Sequence, residues 1–318
     1  MSEEFCEVGG GIRLCYETYG QPSDPTALLV MGLGTQMIAW QEDFCLRLAE
    51  RGFHVVRFDN RDVGHSTHVS GRPPTIPQLL VRSRRAAVYR LSDMAEDAAG
   101  LLRALGLGPA HVIGASMGGM IAQTLAARHP GAVRSLTSIM STTGSLRAGQ
   151  PSLRVYPIFL SHAPADREGF IDHMERLFRT IGSRKPQRPE DLADIRALAA
   201  ASYDRDRDPE GPGRQLAAII ASGDRTAEVR TITAPTLVIH GTADPLVAPS
   251  GGRATARAIK GAKLLQVEHM GHDLPRSQWP RLMDAIAEHA RMADEVDASA
   301  ERNPPPQSHS TPVPGLQG

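Results

Sequence analysis

A serine in residues 114–119 (Gly-Ala-Ser-Met-Gly-Gly) has the surroundings that a nucleophile requires. The segment joins a predicted strand, Ala110–Ile113, to a predicted helix, Met117–Arg128. Such a turn lifts the hydroxyl of Ser116 clear of the backbone, and it has room only for small residues two positions before and after the serine. The first amides of the helix point at any oxyanion that forms there. We interpret Ser116 as a nucleophile; the alternative is an ordinary tight turn.

A serine hydroxyl needs a base, and a neutral histidine is suited to that role near pH 7. A carboxylate behind the histidine fixes its tautomer and stabilises the imidazolium ion. Asp244 follows the predicted strand Pro235–His240, and His272 follows the predicted strand Ala262–Val267. The order serine, acid, histidine, with each residue just after a strand, predicts a catalytic triad of Ser116, Asp244 and His272.

Each of the two partners has an alternative interpretation. Asp244 precedes a proline and could be a turn aspartate. His269 competes with His272 for the role of base, but the glycine before His272 suits a turn that presents the ring. The two histidines lie on a predicted loop without the glutamate of a helical zinc motif, so no metal site is predicted.

Strands alternate with helices along most of the chain, which indicates a mostly parallel sheet with helices on both faces. The predicted strands are Glu4–Val8, Ile12–Tyr19, Ala27–Met31, His54–Phe58, Ala110–Ile113, Val133–Met140, Pro235–His240 and Ala262–Val267. The predicted helices are Ala39–Glu50, a helix capped by Ser92 that ends at Leu105, Met117–Arg128, Ser250–Ile259 and a last helix from Ser277 to about Ala293.

The alternation is interrupted after the sixth predicted strand, where residues 143–230 have helical periodicity and no convincing strand. We therefore predict an α/β core formed by residues 1–143 and 232–295, and a helical cap formed by residues 144–231. Residues 296–318 are predicted to be a disordered tail, because their end is rich in proline and polar residues.

Apolar side chains recur on one predicted helix of the cap. Phe170, Met174 and Phe178 are predicted to line the substrate pocket. The alternative is that they only pack the cap onto the core.

These motifs resemble those of the α/β-hydrolase superfamily along essentially the whole chain before the tail. The resemblance rests on the turn around Ser116, on residues 241–245 (Gly-Thr-Ala-Asp-Pro), on Gly271-His272 and on residues 58–66. The last segment is similar to the family pattern Asp-x-Arg-Gly-x-Gly-x-Ser, although Asp62 stands where that pattern usually has glycine.

Residues 30–32 (Val-Met-Gly) and 60–62 (Asn-Arg-Asp) resemble the bacterial esterase and lipase branch that includes aclacinomycin-methylesterase-like hydrolases. The family's first oxyanion amide follows a His-Gly pair, and here Met31-Gly32 replaces that pair. The resemblance thus implies an oxyanion hole formed by the backbone amides of Leu33 and Met117, since a backbone donor tolerates a changed side chain.

Composition excludes several other classes of protein. The chain has 35 basic and 35 acidic side chains, so it has no net positive charge that would attract nucleic acid or an anionic membrane. No apolar stretch approaches the roughly 20 residues that span a bilayer, and the acidic N-terminus is unlike a signal peptide. Cytoplasmic location is therefore the expectation. Cys6 and Cys15 could face each other across a hairpin, but free thiols are favoured.

The sequence predicts a carboxylic-ester hydrolase that needs no cofactor and acts on a small or medium apolar ester. A cofactor-free perhydrolase of the haloperoxidase type and a carbon–carbon bond hydrolase are alternatives on the same triad. A non-catalytic ligand-binding protein is an alternative of another class, disfavoured because all three triad members are present. The oligomeric state is left open.

Overall fold

The computed structural model describes residues 2–75, 77–78, 81, 83–159, 161, 163–183 and 189–302. The strands are β1 (Glu4–Gly9), β2 (Ile12–Tyr19), β3 (Thr26–Val30), β4 (His54–Phe58), β5 (Ala110–Ala115), β6 (Val133–Ile139), β7 (Thr236–Gly241) and β8 (Lys263–Val267). The α-helices are α1 (Glu42–Ala49), α2 (Leu91–Ala104), α3 (Met117–Arg128), α4 (Tyr156–Phe159), α5 (Arg167–Ile181), α6 (Pro189–Arg205), α7 (Gly211–Ser222), α8 (Thr226–Val229), α9 (Ser250–Ala258) and α10 (Trp279–Arg302).

All eight strands form one sheet in the order β1-β2-β4-β3-β5-β6-β7-β8. The first two pairings, β1 with β2 and β2 with β4, are antiparallel, and every later pairing is parallel. Because parallel strands all end at one edge, the segments after β3, β5, β7 and β8 emerge side by side. That edge therefore gathers the segments that contain the predicted site residues.

The sheet separates two apolar cores. Successive residues of β3 alternate between them: Leu28 and Val30 belong to the core that includes α2 and α3, and Ala27 and Leu29 belong to the core that includes α1 and α10. Because side chains of a strand point alternately to opposite faces, helices cover both faces of the sheet. This explains why β3 is apolar and buried throughout.

Between β6 and β7 the chain leaves the sheet, and every element described in that part is helical. This helical insertion, residues 144–231, contains α4 to α8. The division into core and cap stays a prediction, but the position of the insertion after β6 agrees with the sequence pattern.

A buried arginine ties the insertion to the helix that follows β5. The Arg225 side chain donates hydrogen bonds to the carbonyls of Met120 and Thr142 (3.0 and 2.8 Å) and to the side chains of Gln123 and Thr124 (3.1 and 3.4 Å). Burial lowers the pKa of Arg225 to about 10, so the guanidinium remains charged at neutral pH. A charge in this place is stabilised by oriented carbonyls and hydroxyls.

The predicted starts of two helices were wrong. The helix expected at Ala39–Glu50 is a 3₁₀ turn, Met37–Ala39, followed by α1, which begins only at Glu42. Ser92 is not a cap: α2 begins at Leu91, and the Asp93 carboxylate accepts a hydrogen bond from the backbone amide of Arg90 (2.7 Å), which is the capping position.

The last helix is longer than expected, because α10 continues to Arg302, past the start of the tail predicted at residue 296. Its end is rich in good helix formers, and Arg291 and Glu295 form an ion pair one turn apart. The remainder of the predicted disordered tail, residues 303–318, lies outside the described residues.

The cysteines are free thiols. In the β1–β2 hairpin Cys6 lies opposite Leu14, and Cys15 lies opposite Phe5. Cys6 and Cys15 therefore point to opposite faces of the hairpin and do not meet. Among the helices of the described residues, none combines the length and apolarity that crossing a membrane requires.

The first prediction concerns Arg225. Replacing it by methionine keeps the length of the side chain but removes the donors to the Thr142 carbonyl and to the side-chain oxygen of Gln123, so Arg225→Met should lower the free energy of unfolding by about 2–4 kcal/mol. Arg128→Met is the matched control, since Arg128 is exposed and its ion pair with Glu228 lies at the surface; its effect should stay within about 0.5 kcal/mol. Urea unfolding of both variants measures the difference, and equal effects would contradict an anchoring role for Arg225.

Candidate active site

Ser116 occupies a strained turn between β5 and α3. Its backbone has φ 57° and ψ −119°, a conformation that non-glycine residues rarely adopt. A Cβ added to Gly114 would lie 2.2 Å from the carbonyl oxygen of Gly118, and one added to Gly118 would lie 2.1 Å from that of Val30. Only glycine fits at both positions, as the sequence pattern predicts, and the turn presents the serine hydroxyl at the end of the sheet.

The structure brings the three residues of the predicted triad together. The Ser116 hydroxyl lies 2.9 Å from Nε2 of His272, and Nδ1 of His272 lies 2.8 Å from Oδ2 of Asp244. With the proton on Nδ1, the ring donates to Asp244 and its Nε2 accepts from the serine; this tautomer follows from the bonding partners. His272 and Asp244 are 7% and 4% exposed, so the chain of hydrogen bonds is largely shielded from water.

Asp244 is held as a carboxylate. Its Oδ1 accepts the backbone amides of Leu246 and Val247, both at 2.9 Å, which leaves Oδ2 for the histidine. Although burial opposes ionisation, the charge of His272 and hydrogen bonds from His240 and His272 lower the pKa of Asp244 to about 2. The carboxylate is therefore ionised throughout the range in which an imidazole changes charge.

His240 is a completely buried neighbour of this carboxylate. Its Nε2 lies 2.8 Å from the carbonyl of Val247 and 3.5 Å from Oδ2 of Asp244. It thus supports the loop that carries Asp244 and does not contact Ser116, in agreement with the expectation that it is not the base.

The rival histidine, His269, is exposed and has a positive φ of 62°. Its backbone amide donates to the hydroxyl of Thr242 (3.0 Å). The turn directs His269 away from Ser116 while it directs His272 inward.

The loop that carries His272 is fastened to the helical insertion. The amide of His272 donates to the carbonyl of Ile181, the last residue of α5 (2.8 Å), and the amide of Gly271 donates to the hydroxyl of Ser183 (2.9 Å). Ser183 in turn donates its own amide to the carboxylate of Asp273 (3.0 Å). The insertion therefore helps to fix the orientation of the imidazole.

The predicted oxyanion amides belong to two segments that meet at the serine. Met117 is the first residue of α3, so its amide has no acceptor within the helix. Leu33 follows Gly32, and a Cβ added to Gly32 would lie 3.1 Å from Cβ and 3.6 Å from Oγ of Ser116. The loop after β3 thus lies directly against the serine, and the role of both amides stays a prediction.

The structure gives one of the predicted pocket residues a packing contact. The ring of Phe170 lies 5.6 Å from that of Tyr203, so it packs α5 against α6. Met174 and Phe178 are half-buried on the same helix. This contact lies within the insertion, so it supports neither the pocket role of Phe170 nor the packing of the cap onto the core, and the pocket role of all three residues remains a prediction.

Two charged residues of the segment after β4 have partners that the sequence does not indicate. Arg61 pairs with Asp97 (2.6 Å), and Asp59 pairs with Arg205 of the insertion (2.7 Å). Nothing in the local sequence indicates these pairs, because each joins residues far apart in the chain.

Among the described residues, two groups of potential metal ligands each lie against an arginine that forms ion pairs with their carboxylates. The first group is Glu3, Cys15 and His65, and the second is Asp62, His68 and Asp208. Arg205 contacts Glu3 in the first group (2.6 Å), and Arg214 contacts Asp62 in the second (2.9 Å). We interpret both as ion-pair networks between the insertion and the core.

A family model described as the α/β hydrolase fold matches residues 28–275, which is most of the chain. The chain belongs to the α/β-hydrolase family. Both the fold and the membership that the motifs indicate are thereby confirmed, and the protein is a hydrolase.

Relatives of this α/β hydrolase include rhodomycin D methylesterase DauP of Streptomyces sp. (strain C5), which is 29% identical over 307 residues and covers 89% of this chain and 96% of its own. A putative non-heme bromoperoxidase, BpoC of Mycobacterium tuberculosis, is 27% identical over 261 residues and covers 82% of this chain and 91% of its own. The enol-lactonase of Burkholderia xenovorans LB400 has a similar structure, with a TM-score of 0.68 and 25% identity, covering 92% of this chain and 100% of its own. The methylesterase relatives confirm the resemblance to the esterase branch.

The second prediction tests the turn around Ser116. Alanine in place of glycine normally stabilises a helix, but Gly118→Ala would push a methyl group into the carbonyl of Val30. We expect this variant to lose at least ~100-fold in ester hydrolysis and about 1–3 kcal/mol of stability. Gly131→Ala is the control, because a Cβ there meets nothing within 4 Å. Normal activity of Gly118→Ala would contradict the close packing.

Proposed function

We propose that this α/β hydrolase is a carboxylic-ester hydrolase that works through an acyl-enzyme intermediate. The observation that carries the proposal is the continuous hydrogen-bond chain from Ser116 through His272 to Asp244, with distances of 2.9 and 2.8 Å. That arrangement is what a serine needs to attack a carbonyl carbon at neutral pH.

In the first half of the reaction the Ser116 oxygen attacks the ester carbonyl while Nε2 of His272 takes its proton. The carboxylate of Asp244 stabilises the imidazolium, and it does not itself take the proton. The tetrahedral intermediate collapses when His272 donates the proton to the leaving alcohol. In the second half His272 activates a water, which releases the acid and restores the serine.

The amides of Leu33 and Met117 are the proposed donors to the oxyanion of the tetrahedral intermediate. Both belong to segments that begin at the carboxyl end of adjacent strands, β3 and β5; Met117 follows Ser116, and Gly32, which precedes Leu33, lies against Ser116. Fixed donors of this type stabilise negative charge that develops only in the transition state. The chemistry requires no cofactor, and we retain the cytoplasmic location expected from the sequence.

The proposed substrate is the methyl ester, or another small alkyl ester, of an apolar acid. Support comes from the relatives named rhodomycin D methylesterase, which align along almost their whole length. Phe170, Met174 and Phe178 remain candidates for the acyl pocket, with Phe170 the weakest because of its contact with Tyr203.

The third prediction tests the nucleophile. Ser116→Ala should lower kcat for p-nitrophenyl butyrate by at least ~10³-fold, since it removes covalent catalysis. A fluorophosphonate should add one label per chain, and peptide mapping should place it on Ser116. Ser222→Ala changes a serine whose hydroxyl, within the described part of the chain, bonds to backbone atoms of Leu91 and Ala218, and this variant should keep its activity and its label.

A label on another serine, or full activity of Ser116→Ala, would overturn the proposal. A panel of methyl, ethyl and butyl esters then measures the alcohol preference. Halide oxidation with peroxide in place of ester hydrolysis would favour the perhydrolase alternative instead.

The fourth prediction concerns pH. Because the pKa of Asp244 is lowered to about 2, Asp244 is ionised at all pH values above about 4. Protonation of Asp244 should therefore cause none of the loss of activity between neutral pH and pH 4, and ¹³C NMR of the aspartate-labelled protein should show this carboxylate ionised throughout that range. A carboxyl signal of Asp244 that titrates within that range would contradict the prediction.

A further inference from the structure

The loop after β3, residues 31–36, is bonded to the helical insertion through Gln215. The backbone amide of Gly34 donates to Oε1 of Gln215 (2.7 Å), and Nε2 of Gln215 donates to the carbonyl of Arg61 (2.8 Å). Gln215 lies on α7 and is 0% exposed. Both ends of its amide are therefore used, and both bonds reach across from the insertion to the core.

The same loop has a second connection to the insertion. The side-chain amide of Gln36 donates to the carbonyls of Ser202 and Asp206 (2.9 and 3.0 Å), and its oxygen accepts from Arg205 (3.0 Å). These three residues lie at the end of α6 and just after it. Two consecutive helices of the insertion thus hold the loop at two points.

The loop needs such support because its own sequence is flexible. Leu33 stands between Gly32 and Gly34, and Gly34 has a φ of +62°. Glycines on both sides give the Leu33 amide little intrinsic orientation. An oxyanion donor, in contrast, has to be held within about 0.5 Å of its working position.

We propose that Gln215 is a positioning residue for the oxyanion hole. It does not touch the reacting atoms; it fixes Gly34, and through Gly34 it fixes the direction of the Leu33 amide beside Ser116. This inference rests on the proposed function, since it assumes that Leu33 is an oxyanion donor. It means that the helical insertion helps to complete the catalytic machinery.

The test begins with Gln215→Met, which keeps the side-chain length and removes both hydrogen bonds. Activity is measured per active site, with the sites counted by the end-point of fluorophosphonate labelling, so that misfolded protein is not included. We expect kcat to fall by about 10- to 100-fold, less than the loss of a whole oxyanion donor. KM should change by less than about threefold, because the amide acts mainly on the transition state.

A second readout separates positioning from general damage. A thionoester develops charge on sulfur, which accepts hydrogen bonds more weakly than oxygen does, so its hydrolysis depends less on the oxyanion hole. The ratio of kcat/KM for an oxygen ester to that for the matching thionoester should therefore fall by about tenfold in Gln215→Met. A variant with only a looser structure would lose activity toward both substrates in equal proportion.

Two further variants complete the series. Gln215→Asn keeps the amide but is one methylene too short to reach Gly34, so the ratio should fall here too; this variant decides the question if the methionine variant does not fold. Gln215→Glu keeps an oxygen acceptor for the Gly34 amide, and in its protonated form it also donates to the Arg61 carbonyl, so at a pH at which this buried carboxyl is neutral the variant should restore most of the ratio.

The matched control is Ser222→Ala. Ser222 lies on the same helix, and its hydroxyl accepts the backbone amide of Leu91 in the core (3.0 Å), away from the loop after β3. This control should lower the melting temperature and leave the ester to thionoester ratio unchanged.

An unchanged ratio in the folded methionine or asparagine variant would overturn the positioning role. A wild-type protein that hydrolyses no ester, or that is not labelled at Ser116, would instead overturn the proposed function itself. The two failures are therefore distinguishable.

Discussion

The site depends on a close approach of backbones around one strained residue. Ser116 keeps a φ of 57° because its amide donates to the carbonyl of Ile139 on β6 (2.9 Å) and its carbonyl accepts the hydroxyl of Ser141 (2.8 Å). Such a conformation costs of order 1–3 kcal/mol and persists only where hydrogen bonds and packing around the residue hold it in place. Here the absence of side chains at two glycines lets β3, β5 and α3 meet, and their hydrogen bonds and packing offset the strain.

Much of this arrangement can be predicted from the sequence, because the requirements are local. The alternation of apolar strands with helices predicts the parallel sheet, and the spacing of glycines around Ser116 predicts the turn. Asp244 and His272 were identifiable because each follows an apolar strand and because the carboxyl ends of parallel strands meet at one edge. Two of the wrong helix boundaries also have local causes. At the start of α2 the carboxylate of Asp93, and not the hydroxyl of Ser92, forms the capping hydrogen bond. At the end of α10, residues that favour helix extend the helix to Arg302.

The connections between the insertion and the core could not be predicted in this way. Arg225, Gln215 and Arg205 bond to partners that are 80 or more residues distant in the chain. No periodicity or motif distinguishes a buried arginine that binds carbonyls from an exposed one on a helix surface. The same limit applies to Phe170, since helical spacing shows that a side chain faces inward without showing which neighbour it meets.

The contact between α5 and the histidine loop has a consequence for how this protein can vary. A Cβ added to Gly271 would lie 2.3 Å from the carbonyl carbon of Gly182, and one added to Gly182 would lie 2.6 Å from the carbonyl oxygen of Phe178. The two glycines pack backbone against backbone, so a side chain at Gly271 is compatible only with a displaced Gly182. The conformations of residues 181–183 and 271–273 are therefore coupled, although the two segments belong to different parts of the fold. A chimaera that exchanges the insertion for that of another hydrolase therefore has to exchange residues 271–273 as well. Otherwise the new insertion would not form the hydrogen bonds that hold the loop of His272.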